Sequence, residues 1–372
     1  MRSWLYKTGS VLAVAFVIAL PAAMRTTTAE TAGVTGVGPA FETIGPLTFS
    51  PDGILFAADP QAASVVALDL GPVAAGGTPG AKTIAKIDEQ IAALLGTDVR
   101  EIAITDLAVH PRTRHAYLSV MRGQGRNASA VLMRVDGAGT LEAIALDRVK
   151  YSKVTLPNPP DINVANPARN PRDSSITDMA FIDGRLYVAG LSNEEFSSKL
   201  RAVAYPFTAV DTGTSVEIYH GNHGAFETRS PVYTFVPYRL DNELNLIAGY
   251  LCTPLVRFPV SSLQPGAKIL GTTIAELGNR NRPLDMVVYR KDGKEYLLMS
   301  NNSRGVMKIP TAGFVGAEQI TTPVETETRG VPFETVTAMR GVEQLDLLND
   351  TQTIVLARSE AGALNLDVLA LP

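Results

Sequence analysis

The sequence predicts an all-β fold, and three observations carry that prediction. Beyond residue 29 the chain has almost no helix-period pattern. Its apolar and β-branched residues come in short runs broken by Gly, Pro, Asn and Asp, which is the pattern of strands and turns. These runs also recur in similar sets of about four, the mark of a repeat architecture.

Taken in order, the first strand of each set reads "PLTFS" (46–50), "ITDLAVHP" (104–111), "ITDMAFID" (176–183), "VYTFVPYRL" (232–240), "LDMVVYRKD" (284–292) and "VEQLDLLND" (342–350). Turns such as Asp52-Gly53, Asp183-Gly184 and Asp292-Gly293 follow several of them. Second strands ("ILFAAD", "RLYVAGL", "TIVLARS") and third strands ("SVVALDL", "AVLMRVD", "GVMKIPT") are clear throughout. Fourth strands are weaker: "KTIAKI", "TLEAIAL", "SVEIYH", "KILGTTIAEL" and "AEQITTPV". Radially repeated four-stranded sheets make a β-propeller. Six blades are legible across residues 30–372, read as a single domain. The last set lacks a fourth strand, and the segment around 33–43 is expected to supply it and close the ring. Seven blades would need one hidden in residues 147–175, whose Pro and Asn density predicts a long loop instead. One short helix is expected over 87–96.

The third-strand pattern resembles YVTN-type repeats, and the six-blade count is similar to TolB-like and gluconolactonase-like exported propellers. The resemblance implies the architecture and an exported setting. It does not map a metal-ligand set onto numbered positions.

Residues 1–29 predict an export signal: Arg2 and Lys7, then the apolar "VLAVAFVIAL" (11–20), then the small-residue "TTA" (27–29). Its removal leaves 30 basic and 37 acidic residues, a formal charge of −7. The charge is dispersed, which excludes a basic nucleic-acid-binding face. No later segment is apolar for the ~20 residues a membrane helix needs. The only cysteine, Cys252, forms no internal disulfide. A periplasmic or secreted location is expected, with a small molecule or a periplasmic protein as partner.

In such a ring the loops entering inner strands and those between second and third strands share one face. Those loops hold most of the chemically capable side chains. "FET" occurs at 41–43, 226–228 and 333–335, each before an apolar run, so Glu42, Glu227 and Glu334 are expected near the channel mouth. Asp106, Asp178 and Asp285 share the pattern (T/L)-D-(L/M) at the start of inner strands. Converging carboxylates are costly unless protonated or neutralised. A divalent cation such as Ca²⁺ would neutralise them, as would the neighbouring arginines. Alternatively, each Asp simply accepts backbone amides and fixes a turn.

"HGNHGAFETR" places His220, His223, Glu227 and Arg229 on one Gly-containing loop, which suits a transition metal or an acid/base pair. Cys252 is either a buried inert thiol or a thiolate ligand beside those histidines. Asn279, Arg280, Arg282, Asn301 and Arg304, with Asn193 and Glu194, are expected to bind a ligand; forked guanidiniums suit carboxylate, phosphate or sulfate. Salt bridging to rim acids is the alternative. His110 and His115 are expected to be structural. No GxSxG, HExxH, CxxCH or EF-hand pattern occurs. Two functions fit: a propeller binding a small ligand, metal or partner protein on its polar face, or a metal-dependent hydrolase, lactonase or lyase using the channel carboxylates and His220/His223.

Overall fold

The computed structural model describes residue 1 and residues 31–164, 170–252 and 254–372. All but Met1 of the expected export signal lies outside the described residues.

The repeats form six sheets, numbered here by the sequence order of their inner strands. Blade 1 runs outward from Leu47–Phe49 through Leu55–Asp59 and Ser64–Asp69. Blade 2 is Ile102–Val109, Ala116–Arg122, Ser129–Val135 and Leu141–Ala143. Blade 3 starts at Asp178–Ile182 and runs through Thr214–His220 to Ala225–Glu227 at its outer edge. Blade 4 starts at Thr234–Leu240, blade 5 at Pro283–Lys291 and blade 6 at Val342–Leu347. Middle strands such as Leu55–Asp59 are buried along their whole length because a blade packs on each face. Their continuous apolar runs follow from that.

The order of blades around the axis differs from their order in the chain. Inner strands touch in the circuit 2–1–3–4–5–6 and back to 2. Packing agrees. Leu47 and Leu55 share a cluster with Tyr117 and Leu132 of blade 2, whereas Phe56 and Val65 pack on Leu186 and Val188 of blade 3. Ile354 and Leu366 of blade 6 close against Leu118 and Met133 of blade 2, together with Ile87 and Ile91 of the helix Ile87–Leu94.

Two segments produce this order, and both correct the sequence reading. Lys150–Thr155, expected to lie in a loop, is a strand of blade 1, paired along Ser64–Asp69. It is partly exposed and carries two lysines, so it lacks the apolar run that marks the inner strands. "KTIAKI", expected as the outer strand of blade 1, instead lies against blade 6, where Ile84 and Leu366 exchange hydrogen bonds of 2.8 and 3.0 Å. The chain thus leaves blade 1 for the edge of blade 6, builds blade 2, and returns to complete blade 1. The segment around 33–43 contributes Val34–Val37, which pairs with Lys150–Lys153 at the outer edge of blade 1. In blade 5 the outer strand is Glu334–Thr335 and not "AEQITTPV". No helix of the described residues is long and apolar enough to cross a membrane.

Candidate metal centre and ligand pocket

Three places gather the polar residues that the sequence singles out. The first is the axis. Asp106 Oδ2 of blade 2 accepts the Leu47 N–H of blade 1 (2.5 Å), and Asp178 Oδ2 of blade 3 accepts Phe235 N–H of blade 4 (2.7 Å). Asp285 Oδ2 of blade 5 accepts Leu345 N–H of blade 6 (2.8 Å), and Asp346 Oδ2 of blade 6 accepts Val109 N–H of blade 2 (2.7 Å). Each bond points the same way around the ring. The threonine before the Asp works with it: Thr105 Oγ1 donates to Ile44 O (2.7 Å) and Thr177 Oγ1 to Val232 O (2.5 Å). The repeated Thr-Asp is therefore an inter-blade staple. With its nitrogen facing inward, the Gln344 amide donates to Asp285 Oδ2 and Asp106 Oδ1, both at 2.9 Å.

These carboxyls border an axial cavity of about 170 Å³ lined by all six inner strands. The cavity leaves each of them only half-buried by area, but all six inner strands pack closely around them. That desolvation pushes Asp178 up to about 7 and Asp346 up to about 6, against the amides that favour the charged form. Asp106 and Asp285 rise well above the usual range, through burial first and then the neighbouring acids. Every carboxyl has a backbone partner, so the turn-fixing alternative accounts for the pattern.

The three "FET" glutamates do not meet at the channel mouth. Glu42 is fixed through its N–H, which donates to Asp59 Oδ2 (2.7 Å), and its side chain is exposed. Glu334 lies in the outermost strand of blade 5, exposed, and Glu227 in the outermost strand of blade 3. A shared triplet does not imply a shared depth within a blade.

The second place is the rim above blades 3 and 4. His220 ends the strand Thr214–His220, and the turn Gly221–Gly224 brings His223 back over it, with ring centroids 3.8 Å apart. Glu227 Oε1 receives Nδ1 of His220 (2.9 Å) and Nδ1 of His223 (2.6 Å), while Ser230 donates to Oε2. Burial raises this carboxyl, but the bonds from His220, Ser230 and His223 outweigh it and hold the pKa at about 2. Cys252, in the loop after Glu243–Gly249, completes the group. A nitrogen of each imidazole and the thiol sulfur all lie within 4.8 Å of one another. His220 is 1% exposed, and its Nε2 has no hydrogen-bond partner among the described residues.

Beneath it sits Glu276, fully buried in Thr272–Leu277, which accepts from Gly221 N–H (2.6 Å) and Asn222 Nδ2 (3.1 Å). Burial raises its pKa to about 7. Gly221 fits closely there: a Cβ would stand 2.7 Å from Val324 Cγ2 and 3.1 Å from Glu276 Oε1, so those side chains would have to shift. Sequence reasoning misses Glu276, although an acid inside the apolar "TTIAEL" is a readable signal.

The third place adjoins the second. A pocket of about 400 Å³ is lined by Tyr233, Leu251, Cys252, Arg280, Asn281, Arg282, Leu284 and Asn302. Asn281 is its brace: its carbonyl accepts Cys252 N–H (2.7 Å), and its side-chain oxygen accepts Asn301 Nδ2 (2.8 Å). Arg282 lies over the Tyr233 ring, 5.3 Å from its centre. Among the described residues neither Arg280 nor Arg282 forms an ion pair. Arg304 does, with Glu327 (3.0 Å), and also donates to Asn279 O (3.3 Å), so the salt-bridge alternative holds for that arginine.

Arg229 is exposed beyond Glu227. Glu194 pairs with the buried Lys199 (2.6 Å) and accepts from Asn158, and Asn193 N–H donates to Asn158 O (2.9 Å); neither residue lines the pocket. His110 and His115 are buried. His110 Nδ1 accepts two backbone N–H groups and His115 Nε2 meets Thr78 O at 3.0 Å, as expected of structural residues.

Fold and site together define a six-bladed β-propeller with a polar rim centre over blades 3 to 5. No family model matches the chain, and no curated protein matches it. Among solved structures it is similar to the PQQ-bound form of an aldose sugar dehydrogenase from Streptomyces coelicolor, at 12% identity over 91% of this chain and 98% of that one, with a TM-score of 0.31. It is also similar to a periplasmic gluconolactonase of Pseudomonas aeruginosa, at 10% identity over 92% and 99% of the chains, with a TM-score of 0.34. Neither protein's activity is carried over at such distances, and the fold rests on the strand pairing itself.

Proposed function

We propose that this is an exported propeller that binds a small anionic ligand on its loop rim. The observation that carries the reading is the pair of arginines, Arg280 and Arg282, which line a pocket of about 400 Å³ and have no acidic partner among the described residues. Such a volume suits a small molecule. Tyr233, Leu251 and Leu284 give it an apolar body, so the fitting ligand is a compact carboxylate or phosphate ester with an apolar part. A forked guanidinium favours both groups over a neutral molecule. Export rests on the signal-like residues 1–29, and native protein is expected to begin at Glu30 when its N-terminus is sequenced.

Calorimetric titration with small aromatic carboxylates, phosphate and sulfate tests the pocket. Losing one charge-assisted bond of about 1.5–3 kcal/mol should weaken binding about 10- to 100-fold in Arg282→Ala. Binding that is unchanged in Arg280→Ala/Arg282→Ala would remove the pocket from consideration.

The grip of Glu227 on both imidazoles favours a second reading, a metal-dependent hydrolase, lactonase or lyase. It predicts lactone or ester turnover by the wild type that His223→Gln abolishes.

A further inference from the structure

We infer that His220, His223 and Cys252 form a binding site for one divalent transition-metal ion such as Zn²⁺. This goes beyond the ligand reading and stands whether or not an anion binds nearby.

Four observations converge on it. A nitrogen of each imidazole and the thiol sulfur are already gathered within 4.8 Å of one another. Zn–N distances of about 2.0–2.1 Å and a Zn–S distance of about 2.3 Å place bound donors roughly 3.3–3.8 Å apart, so closing on an ion takes about an ångström. His220 Nε2 is the second, independent sign. Its side chain is 1% exposed, and among the described residues this atom has no hydrogen-bond partner; Glu276 Oε2, at 3.9 Å, is too far for one. Buried polar atoms nearly always find a partner, so a buried imidazole nitrogen without one, on a residue of this cluster, is the kind of atom a bound ion would satisfy.

Third, Glu227 takes Nδ1 of both rings. That bond fixes each tautomer with its proton on Nδ1 and leaves Nε2 as the free donor. A carboxylate behind the histidine is the usual support of a metal-bound imidazole. Fourth, the donors are two imidazoles and a thiol. That set suits zinc and similar ions and disfavours Ca²⁺ and Mg²⁺, which take oxygen. Three protein ligands leave one position open.

The test is titration of the reduced, chelator-treated protein with Co²⁺, followed by the thiolate-to-cobalt charge-transfer absorption in the near ultraviolet. One equivalent should bind with that band, and Zn²⁺ should displace it. Cys252→Ser should lose the band, and Glu227→Gln should bind about 10- to 100-fold more weakly. His223 is half exposed, so His223→Gln should melt like the wild type in chelator yet lose affinity, which separates ligation from folding. A wild type without the band, or Co²⁺ binding unchanged by Cys252→Ser and His223→Gln, overturns the assignment.

Discussion

Asp285→Ala is expected to lower the unfolding free energy by about 2–5 kcal/mol, read as a lower urea midpoint with an unchanged slope. The substitution strands two amides, Met286 N–H (2.7 Å from Oδ1) and Leu345 N–H (2.8 Å from Oδ2). Each unpaired buried donor costs about 1–3 kcal/mol. The second amide belongs to blade 6, so the loss loosens a contact between sheets as well as a turn. Asp285→Asn keeps one of the two acceptor oxygens in the same shape, so it can still hold one of the two amides and should cost less. If Asp285→Ala proved as stable as Asp285→Asn, the staple would have no energetic role.

The second large effect is on the pH dependence of stability. An unfolded aspartate titrates near 3.9. In the folded ring Asp346 titrates at about 6 and Asp178 at about 7, and Asp106 and Asp285 rise well above the usual range, all chiefly through burial. The folded state therefore holds protons that the unfolded chain has released, and stability falls as pH rises. The contribution is complete below about pH 4 and is lost as pH passes through the folded values. Below about pH 6.5 two histidines oppose it. Burial lowers His110 to about 4 and lowers His115 as well, so the unfolded chain binds more protons there. Above about pH 6.5 the histidines no longer oppose it, and from there to about pH 8.5 the buried Glu276, raised to about 7, acts in the same direction as the ring. There Asp178 and the last part of the Asp346 titration should cost about 1 kcal/mol together, since a tenfold difference in proton affinity between folded and unfolded chain is worth roughly 1.4 kcal/mol. Chemical denaturation across that window, in chelator, should show falling stability for the wild type and a flatter profile for Asp178→Asn/Asp346→Asn. Stability that rises across the window, or a slope that the double variant leaves unchanged, would contradict the protonated ring.

Much of the architecture was legible because strands bounded by turn residues announce themselves locally. The six inner strands, the Asp-Gly turns and the helix at Ile87 follow from patterns within ten residues or so. The ring order does not, because a strand's period fixes which side chains face inward but not which neighbour it joins. Lys150–Thr155 and Ile84 needed tertiary contacts to find their sheets. In "VEQLDLL" the alternation does place Gln344 and Asp346 on one face, a signal that would have added both to the axial set.

The site was legible in its parts. His220, His223, Glu227 and Cys252 stand out as residue types, and Arg280 and Arg282 as a basic loop. Their meeting is decided by blades 3, 4 and 5 being adjacent. The triplet "FET" misled because the same residues serve three different depths: a loop fixed by Asp59, an outer strand holding histidines, and an exposed edge. Short motifs report local conformation, whereas radial position comes from pairing.

The chemistry is thus proposed for the rim over blades 3 to 5, which leaves the axial carboxyls, each bonded to a backbone amide of a neighbouring blade, a structural task. Anomalous diffraction at the zinc edge, from crystals grown with Zn²⁺ at neutral pH, tests this division most directly. One peak between His220, His223 and Cys252, with none along the axis, is the predicted result. A peak among Asp106, Asp178, Asp285 and Asp346, with none at the rim, would contradict it.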